Sequence, residues 1–197
     1  NQISRLDYVT QPTHPKENFL ENFNLYQDLR TKETGDLRKA LSKYIKTISK
    51  LTRIECFDVA HLAGFNPTAS MVTFVNGQAE KSLYRHFKIR QKKGVDDISS
   101  LKEIAVRRSK YLKKWGKPDL IIVDGGKTQV LAFLNVFKSF KIPIVGIAKR
   151  YETLIVPKIE SNHSRFEEIR LIQSPVLNLV QRMRNEAHRF ARRYHHK

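Results

Sequence analysis

Two aspartates set in apolar runs carry the strongest chemical signal in the sequence. Asp58 interrupts Ile54-Glu55-Cys56-Phe57-Asp58-Val59-Ala60, and Asp124 closes Leu120-Ile121-Ile122-Val123 just ahead of Gly125-Gly126-Lys127. Side chains alternate along a strand, so Asp58 shares a face with Ile54 and Cys56. A carboxylate there is costly unless it is paired or holds a cation. The plainer alternative is an aspartate at a strand end that caps a loop. Asp124 falls at the carboxyl end of a buried run, where open α/β sheets place their ligands. Gly126-Lys127-Thr128 has the look of the end of a P-loop. That motif needs another glycine five positions before Gly126, where Ile121 stands, and is excluded. His188 lies on a helix at the border of an apolar stripe, in line with Leu177 and Arg184, either as a packing residue or as a ligand. Asp96 and Asp97 form an acidic pair before a helix and also suit an ordinary loop.

The chemistry that would gather these residues is phosphodiester cleavage. An in-line displacement needs an attacking water and a stabilised leaving oxygen, and one or two Mg²⁺ or Mn²⁺ ions serve both ends. Hard cations take carboxylate oxygens from neighbouring elements. Asp58, Asp124 and His188 can supply that set, with Lys127, Arg184 and Arg189 adding positive charge beside the cut phosphate.

The composition agrees with such a substrate. Lys and Arg number 37 against 19 Asp and Glu, a formal charge of +18 over 197 residues. Self-repulsion of that size favours a polyanionic partner, nucleic acid before an anionic membrane. With 40% hydrophobic residues the chain can bury a core. Apolar runs such as Leu120 to Val123 are far shorter than the roughly 20 residues that span a bilayer. No secretory signal opens the chain. The single cysteine, Cys56, rules out an internal disulfide and multi-cysteine zinc sites, which points to a reducing cytoplasm. The first residue, Asn1, is not methionine, and we expect a piece of a longer polypeptide.

The elements that must position the site follow from the patterning. Residues 1–50 are a charged, partly helical lead-in expected to pack on the core. It holds a short strand at Leu6 to Val9, then helices over Glu17–Tyr26 and Asp36–Lys50; in the second, Leu37, Ala40, Leu41, Tyr44, Ile45 and Ile48 recur at helical spacing. Residues 51–197 form the main domain. Ile54–Val59 and Ala69–Val75 are β-rich, and Asn76-Gly77 is a hairpin turn signal. Lys81–Ile89 returns as a third strand, giving an antiparallel meander. Ser99 or Ser100 can cap a basic helix to Trp115. Asp119–Val123 and Ile144–Ile147 are buried strands, with a helix over Lys127–Phe140 between them. Thr153–Val156 and Glu168–Ile172 can pair as a hairpin. Ser174 caps and Pro175 opens a last helix with the stripe Val176, Leu179, Val180, Met183, Ala187, Phe190 and Tyr194. This α/β order, three antiparallel strands followed by parallel strands with flanking helices, is that of an RNase H-like mixed sheet.

At these residues the sequence resembles the C-terminal half of the UvrC family, the excinuclease subunit of bacterial nucleotide excision repair. The matching blocks include Ile54 to Asp58 with His61, Tyr84-Arg85 with Phe87, and Gly94 with Asp96-Asp97. Pro118 to Lys127, Val145-Gly146 with Ala148-Lys149, Ser174-Pro175, and Arg184 with Glu186 to Ala191 continue the set in the family's order. The resemblance implies a metal-dependent endonuclease that cuts lesion-bearing duplex DNA on the 5′ side. It places Asp58, Asp124 and His188 on the catalytic and metal-binding triad, and Asp97 on a further carboxylate. Arg85, Lys127, Lys149, Arg184 and Arg189 are expected to contact DNA. It also implies a UvrB partner engaged through family segments other than this one. The chain departs from the family at Asn185 and Gln173, where Asp is usual. Two other functions share the fold: a non-catalytic basic DNA-binding module, and an RNA-directed RNase H-like nuclease. A pure phosphate binder has no reason to hold two carboxylates beside its DNA path. Only a substrate comparison separates the RNA-directed enzyme.

Overall fold

The computed structural model describes residues 16–60, 68–89, 97–148, 153–159 and 164–193. Its centre is an eight-stranded sheet. β1 (Arg53–Ala60) pairs antiparallel with β2 (Thr68–Val75), from Arg53 opposite Val75 to Ala60 opposite Thr68. The Asn76-Gly77 turn then reverses the chain, with φ of 50° and 75° at its two residues. Left-handed backbone at both central positions is what a tight two-residue hairpin demands. A Cβ on Gly77 would also lie 2.9 Å from the Arg30 carbonyl oxygen.

The return strand expected over 81–89 is shorter, because its first three residues form a 3-10 turn, and a two-residue strand precedes that turn. β3 (Gln78–Ala79) and β4 (Arg85–Lys88) both pair with β2, separated by a 3-10 turn at Lys81–Leu83. Glu80 causes the turn: its carboxylate accepts from the Ser82 amide at 3.3 Å and the Ser82 hydroxyl at 2.6 Å. Beyond β1 the sheet turns parallel. β5 (Leu120–Asp124) lies beside β1 and β6 (Ile144–Ala148) beside β5. β7 (Thr153–Ile159) and β8 (Ser164–Arg170) close that side as an antiparallel hairpin, longer than the expected one.

Helices cover both faces. Ile54, Cys56, Leu120, Ile122, Val145 and Ile147 point to one face, under α1 (Lys16–Ser42) and α5 (Pro175–Arg193). Phe57, Met71, Ile121 and Val123 point to the other, under α2 (Asp97–Lys110), α3 (Leu112–Trp115) and α4 (Lys127–Phe137). Phe57 meets Phe133 of α4 with ring centroids 4.9 Å apart. β6 carries Gly146 because a Cβ there would lie 2.6 Å from both the Gly125 carbonyl and a Val130 methyl.

Several helix boundaries differ from expectation. α1 is one helix of 27 residues that runs through Gly35 and stops at Ser42, eight residues short of Lys50. Amides of Tyr44 and Ile45 both donate to the Leu41 carbonyl, so the apolar spacing ends in a turn that still buries Ile48. α2 starts at Asp97, which places Ser99 and Ser100 inside its first turn rather than at the cap. The helix breaks at Tyr111 before α3, and Lys138–Phe140 is a 3-10 turn after α4. At α5 the Ser174 hydroxyl accepts from the Leu177 amide at 3.3 Å, the capping bond its sequence implied. The Leu6 to Val9 strand and Tyr194 lie outside the described residues.

Two charge clusters lock the layers. Glu33 of α1 is buried and receives both Arg182 guanidinium nitrogens at 2.7 Å, with Arg30 at 3.0 Å. Burial works against its charged form, but the bonds from Arg182 and Arg30 outweigh it and hold the carboxyl below its ordinary range. Under the other face, Glu55 and Arg108 are both fully buried and joined by two bonds of 2.8 Å. Arg53 adds a bond of 2.9 Å to Glu55, and Arg108 donates to the Gly116 carbonyl at 2.6 Å.

Candidate active site

The register of the parallel strands sets the two aspartates side by side. Cys56 pairs with Ile122 and Phe57 with Val123, so the next residue on each strand is Asp58 and Asp124. By alternation both carboxylates share the α5 face with Cys56 and Ile122. The Cys56 thiol registers them both. Its pKa is pushed well above the ordinary value chiefly by burial, with the charges of Asp124 and Asp58 adding and Arg184 opposing. Asp58 is 7% exposed, and Asp124 is partly exposed at the mouth of the strand.

α5 brings the third member. His188 Nδ1 lies 3.1 Å from Asp58 Oδ2, and the histidine side chain is 47% exposed. His188 is therefore outside the core. Its placement depends on Ser70, which faces Asp58 across β1 and β2 and donates at 2.9 Å to the carbonyl of Ala187. That bond fixes the helix one residue before the imidazole. Farther along α5, Phe190 stacks on His86 at 3.9 Å, and the Tyr84 hydroxyl donates to Glu186 at 2.9 Å. Reasoning from sequence passed over Ser70, Tyr84 and Glu186 as positioning groups. The available signal was a serine in the apolar run Ala69-Ser70-Met71.

The other expected residues are dispersed. Asp97 is the first residue of α2, in the helix layer on the far side of the sheet from α5. Arg85 pairs with Met71 on that far face, donates to the Ser82 and Tyr84 carbonyls, and lies 5.2 Å over the Trp115 ring. It is not beside the carboxylates. Lys127 opens α4 three residues after Asp124 and pairs with Glu168 at 2.8 Å. Arg189 is held by Glu186 at 2.5 and 2.6 Å, and that pairing holds the Glu186 carboxyl below its ordinary value. Arg184 is near enough to Cys56 to oppose the aspartates' field. Lys149 lies outside the described residues. Asn185 lines a cavity of about 330 Å³ with Tyr26 and Arg182, while His188 meets Asp58. Gln173 is exposed ahead of the α5 cap.

Among the described residues, no three His, Cys, Asp or Glu side chains are drawn together as a ready-made metal cage. The donor set at the strand ends still suits a divalent ion in kind: two carboxylates for a hard cation, with an imidazole at hydrogen-bond distance from one of them. A cation between them would replace repulsion between neighbouring negative charges with attraction to a shared centre.

A mixed sheet whose adjacent parallel strands end in two aspartates, under a helix that brings a histidine to one of them, defines an RNase H-like α/β domain. The chain belongs to the UvrC family: the family model described as the UvrC RNase H endonuclease domain matches residues 18–191. It is 40% identical over 162 residues to UvrABC system protein C of Chlorobium phaeobacteroides, covering 80% of this chain and 25% of that protein. With the protein of the same name from Methanosarcina acetivorans it is 43% identical over 168 residues, 81% of this chain and 31% of that one. The chain thus spans a quarter to a third of these relatives. Among solved structures it is similar to Ciona intestinalis endonuclease V with inosine-containing DNA, at a TM-score of 0.41 and 15% identity over 87% of this chain and 69% of that one. Among the described residues no helix is long and apolar enough to cross a membrane.

Proposed function

We propose that this domain is a metal-dependent endodeoxyribonuclease that makes the 5′ incision beside a lesion in excision repair. The observation that carries the reading is the joint placement of Asp58, Asp124 and His188 on one face at the ends of β1 and β5. Asp58 and Asp124 would hold Mg²⁺ or Mn²⁺, with His188 at the rim. When bound, such an ion supplies Lewis acidity toward the scissile phosphate and lowers the pKa of a bound water. With Nδ1–H donating to Asp58, the basic nitrogen of His188 is Nε2, which can take the proton of the attacking water. Lys127 would meet a phosphate oxygen. Its pairing with Glu168 joins two half-exposed groups, 54% and 55%, and surface pairs of that kind are weak enough to exchange. Arg184 would contribute positive charge from α5, and Lys149 from beyond β6. Asp97 would act from the start of α2. In the longer proteins of the family, UvrB would be engaged by segments other than this domain.

The test is a nicking assay with Mn²⁺ or Mg²⁺ on lesion-bearing duplex DNA, undamaged duplex and an RNA–DNA hybrid, with Asp124→Asn as control. Metal-dependent nicks on the damaged duplex, lost in the variant, support the reading. Preferential cutting of the hybrid would replace it with an RNA-directed activity. Tight DNA binding with no cutting under any metal would reduce the domain to a binding module.

A further inference from the structure

The three connections that lead into the parallel strands meet at the edge of the sheet opposite the candidate site. Residues 47–50 ahead of β1, 117–119 ahead of β5, and Lys141 with Pro143 ahead of β6 line one concavity of about 330 Å³. Each connection carries exposed lysines: Lys46 and Lys50, Lys114 and Lys117, Lys138 and Lys141. The one carboxylate in the lining is Asp119, and it is committed elsewhere. Its Oδ2 accepts from the Thr52 and Arg53 amides at 2.9 Å each, while Lys50 approaches Oδ1 only to 3.9 Å. Lysines near helix C-termini complement the helix dipole, which accounts for one or two at each end. It does not account for Lys50, Lys117 and Lys141 reaching one hollow from three separate connections, with Asp119 as the carboxylate among them.

We propose that this edge is a second polyanion contact that takes nucleic-acid phosphates away from the cut. The inference rests on the nuclease reading of the domain. Ammonium groups on flexible stems read charge without sequence, as a phosphate backbone requires. Exposed aromatics flank the lysines in sequence, Tyr111 ahead of Lys114 and Phe140 beside Lys141: Tyr111 stacks on Trp115 at 4.2 Å, and Tyr111 and Phe140 are 41% and 39% exposed. Such faces pack against sugars and bases, which favours nucleic acid over an acidic protein. Asp58 lies five residues beyond Arg53 on β1, which puts the candidate site about 17 Å from this edge at roughly 3.3 Å per residue. The second contact is with a flanking arm that curves round the domain, or with a second duplex.

The experiment compares wild type with Lys50→Glu/Lys117→Glu/Lys141→Glu by fluorescence anisotropy without divalent metal. Duplexes of one and of four helical turns are titrated with salt. The expected result is a log–log salt slope flattened by about 2 to 3 in the variant, at about 0.9 for each phosphate that is no longer neutralised. Weakening confined to the long duplex identifies a curved arm. Weakening on both lengths, with stoichiometry falling from two duplexes to one, identifies a second duplex. Lys→Gln at the same positions must shift the slope the same way, which covers a reversal variant that fails to fold. Unchanged slopes on both duplexes would overturn the proposal, and so would tighter binding of polyglutamate than of DNA. Failure of the nuclease reading is separately visible as a wild-type protein that never nicks.

Discussion

The imidazole of His188 and the carboxylate of Asp58, 130 residues apart in sequence, lie 3.1 Å apart from Nδ1 to Oδ2. The histidine is half exposed and outside the apolar stripe of α5, so its removal opens no cavity. His188→Ala should therefore melt within about 1 kcal/mol of wild type, as surface substitutions do. It should bind DNA normally and nick roughly a hundredfold more slowly, the scale of a missing general base. Melting, anisotropy and nicking on the same preparation check this. An unfolded variant would assign the histidine to structure.

Asp58 and Asp124 should differ in what else they lose. Asp58→Asn removes both a metal donor and the carboxylate partner of His188, whereas Asp124→Asn leaves the Asp58–His188 contact in place. Both should abolish calorimetrically detected Mn²⁺ binding. Asp58→Asn should also release the His188 ring from its 3.1 Å contact, seen as loss of order of that side chain in a crystal structure of the variant. Mn²⁺ binding that survives both substitutions would remove the carboxylates from the metal site.

Ser70→Ala should cost about 1 kcal/mol, the usual net worth of one hydrogen bond, because only the bond to the Ala187 carbonyl is removed. A larger share of nicking should disappear, since that bond sets the position of the residue before His188. Ser70→Thr should recover part of it. Equal losses of stability and rate in both variants would leave Ser70 with a structural role only.

Losing Arg108 takes two bonds from the fully buried Glu55 and leaves Arg53 to meet its charge alone. Arg108→Ala should destabilise by about 3 to 5 kcal/mol. For a domain of this size that lowers Tm by roughly 10 °C. Replacing both residues with apolar ones of similar volume should restore much of the stability. A single variant that melts like wild type would show that the pair is solvated in solution.

The Glu33 clamp gives stability a pH dependence of known sign. Its carboxyl is held below the ordinary value in the fold, so the unfolded chain binds the proton more tightly. The contribution is complete above the unfolded pKa near 4.5 and drains away as pH falls through the lowered folded value. Urea unfolding of wild type and Glu33→Gln between pH 6 and 3 should show a gap that closes toward the acid end. A constant gap would exclude this linkage.

The elements that carry the site were the most legible ones. Asp58 and Asp124 stood out because a charge in a continuous β-rich run has few plain explanations, and α5 announced itself by cap, proline and stripe. What sequence reasoning missed was held by charge rather than by apolar period. Residues 27–35 looked like a gap between two helices because their buried face is Glu33 and Thr34, fixed by arginines from α5 and from α1 itself. Ile45 and Ile48 prolonged the helical spacing but serve a turn. The shorter return strand came from one local competitor, the Glu80 carboxylate. Strand alternation through β4 turns Arg85 to the far face, away from the two carboxylates.

α5 is the last of the described elements, and both its tie to Ser70 and its contact with Asp58 span more than a hundred residues, 117 and 130. The ribosome therefore delivers the two carboxylates long before the imidazole. A nascent chain that has already folded its central strands carries an incomplete constellation, and loop-closure entropy places the docking of α5 late in folding. The same arrangement works in reverse, because a local opening of α5 takes the imidazole away from both carboxylates.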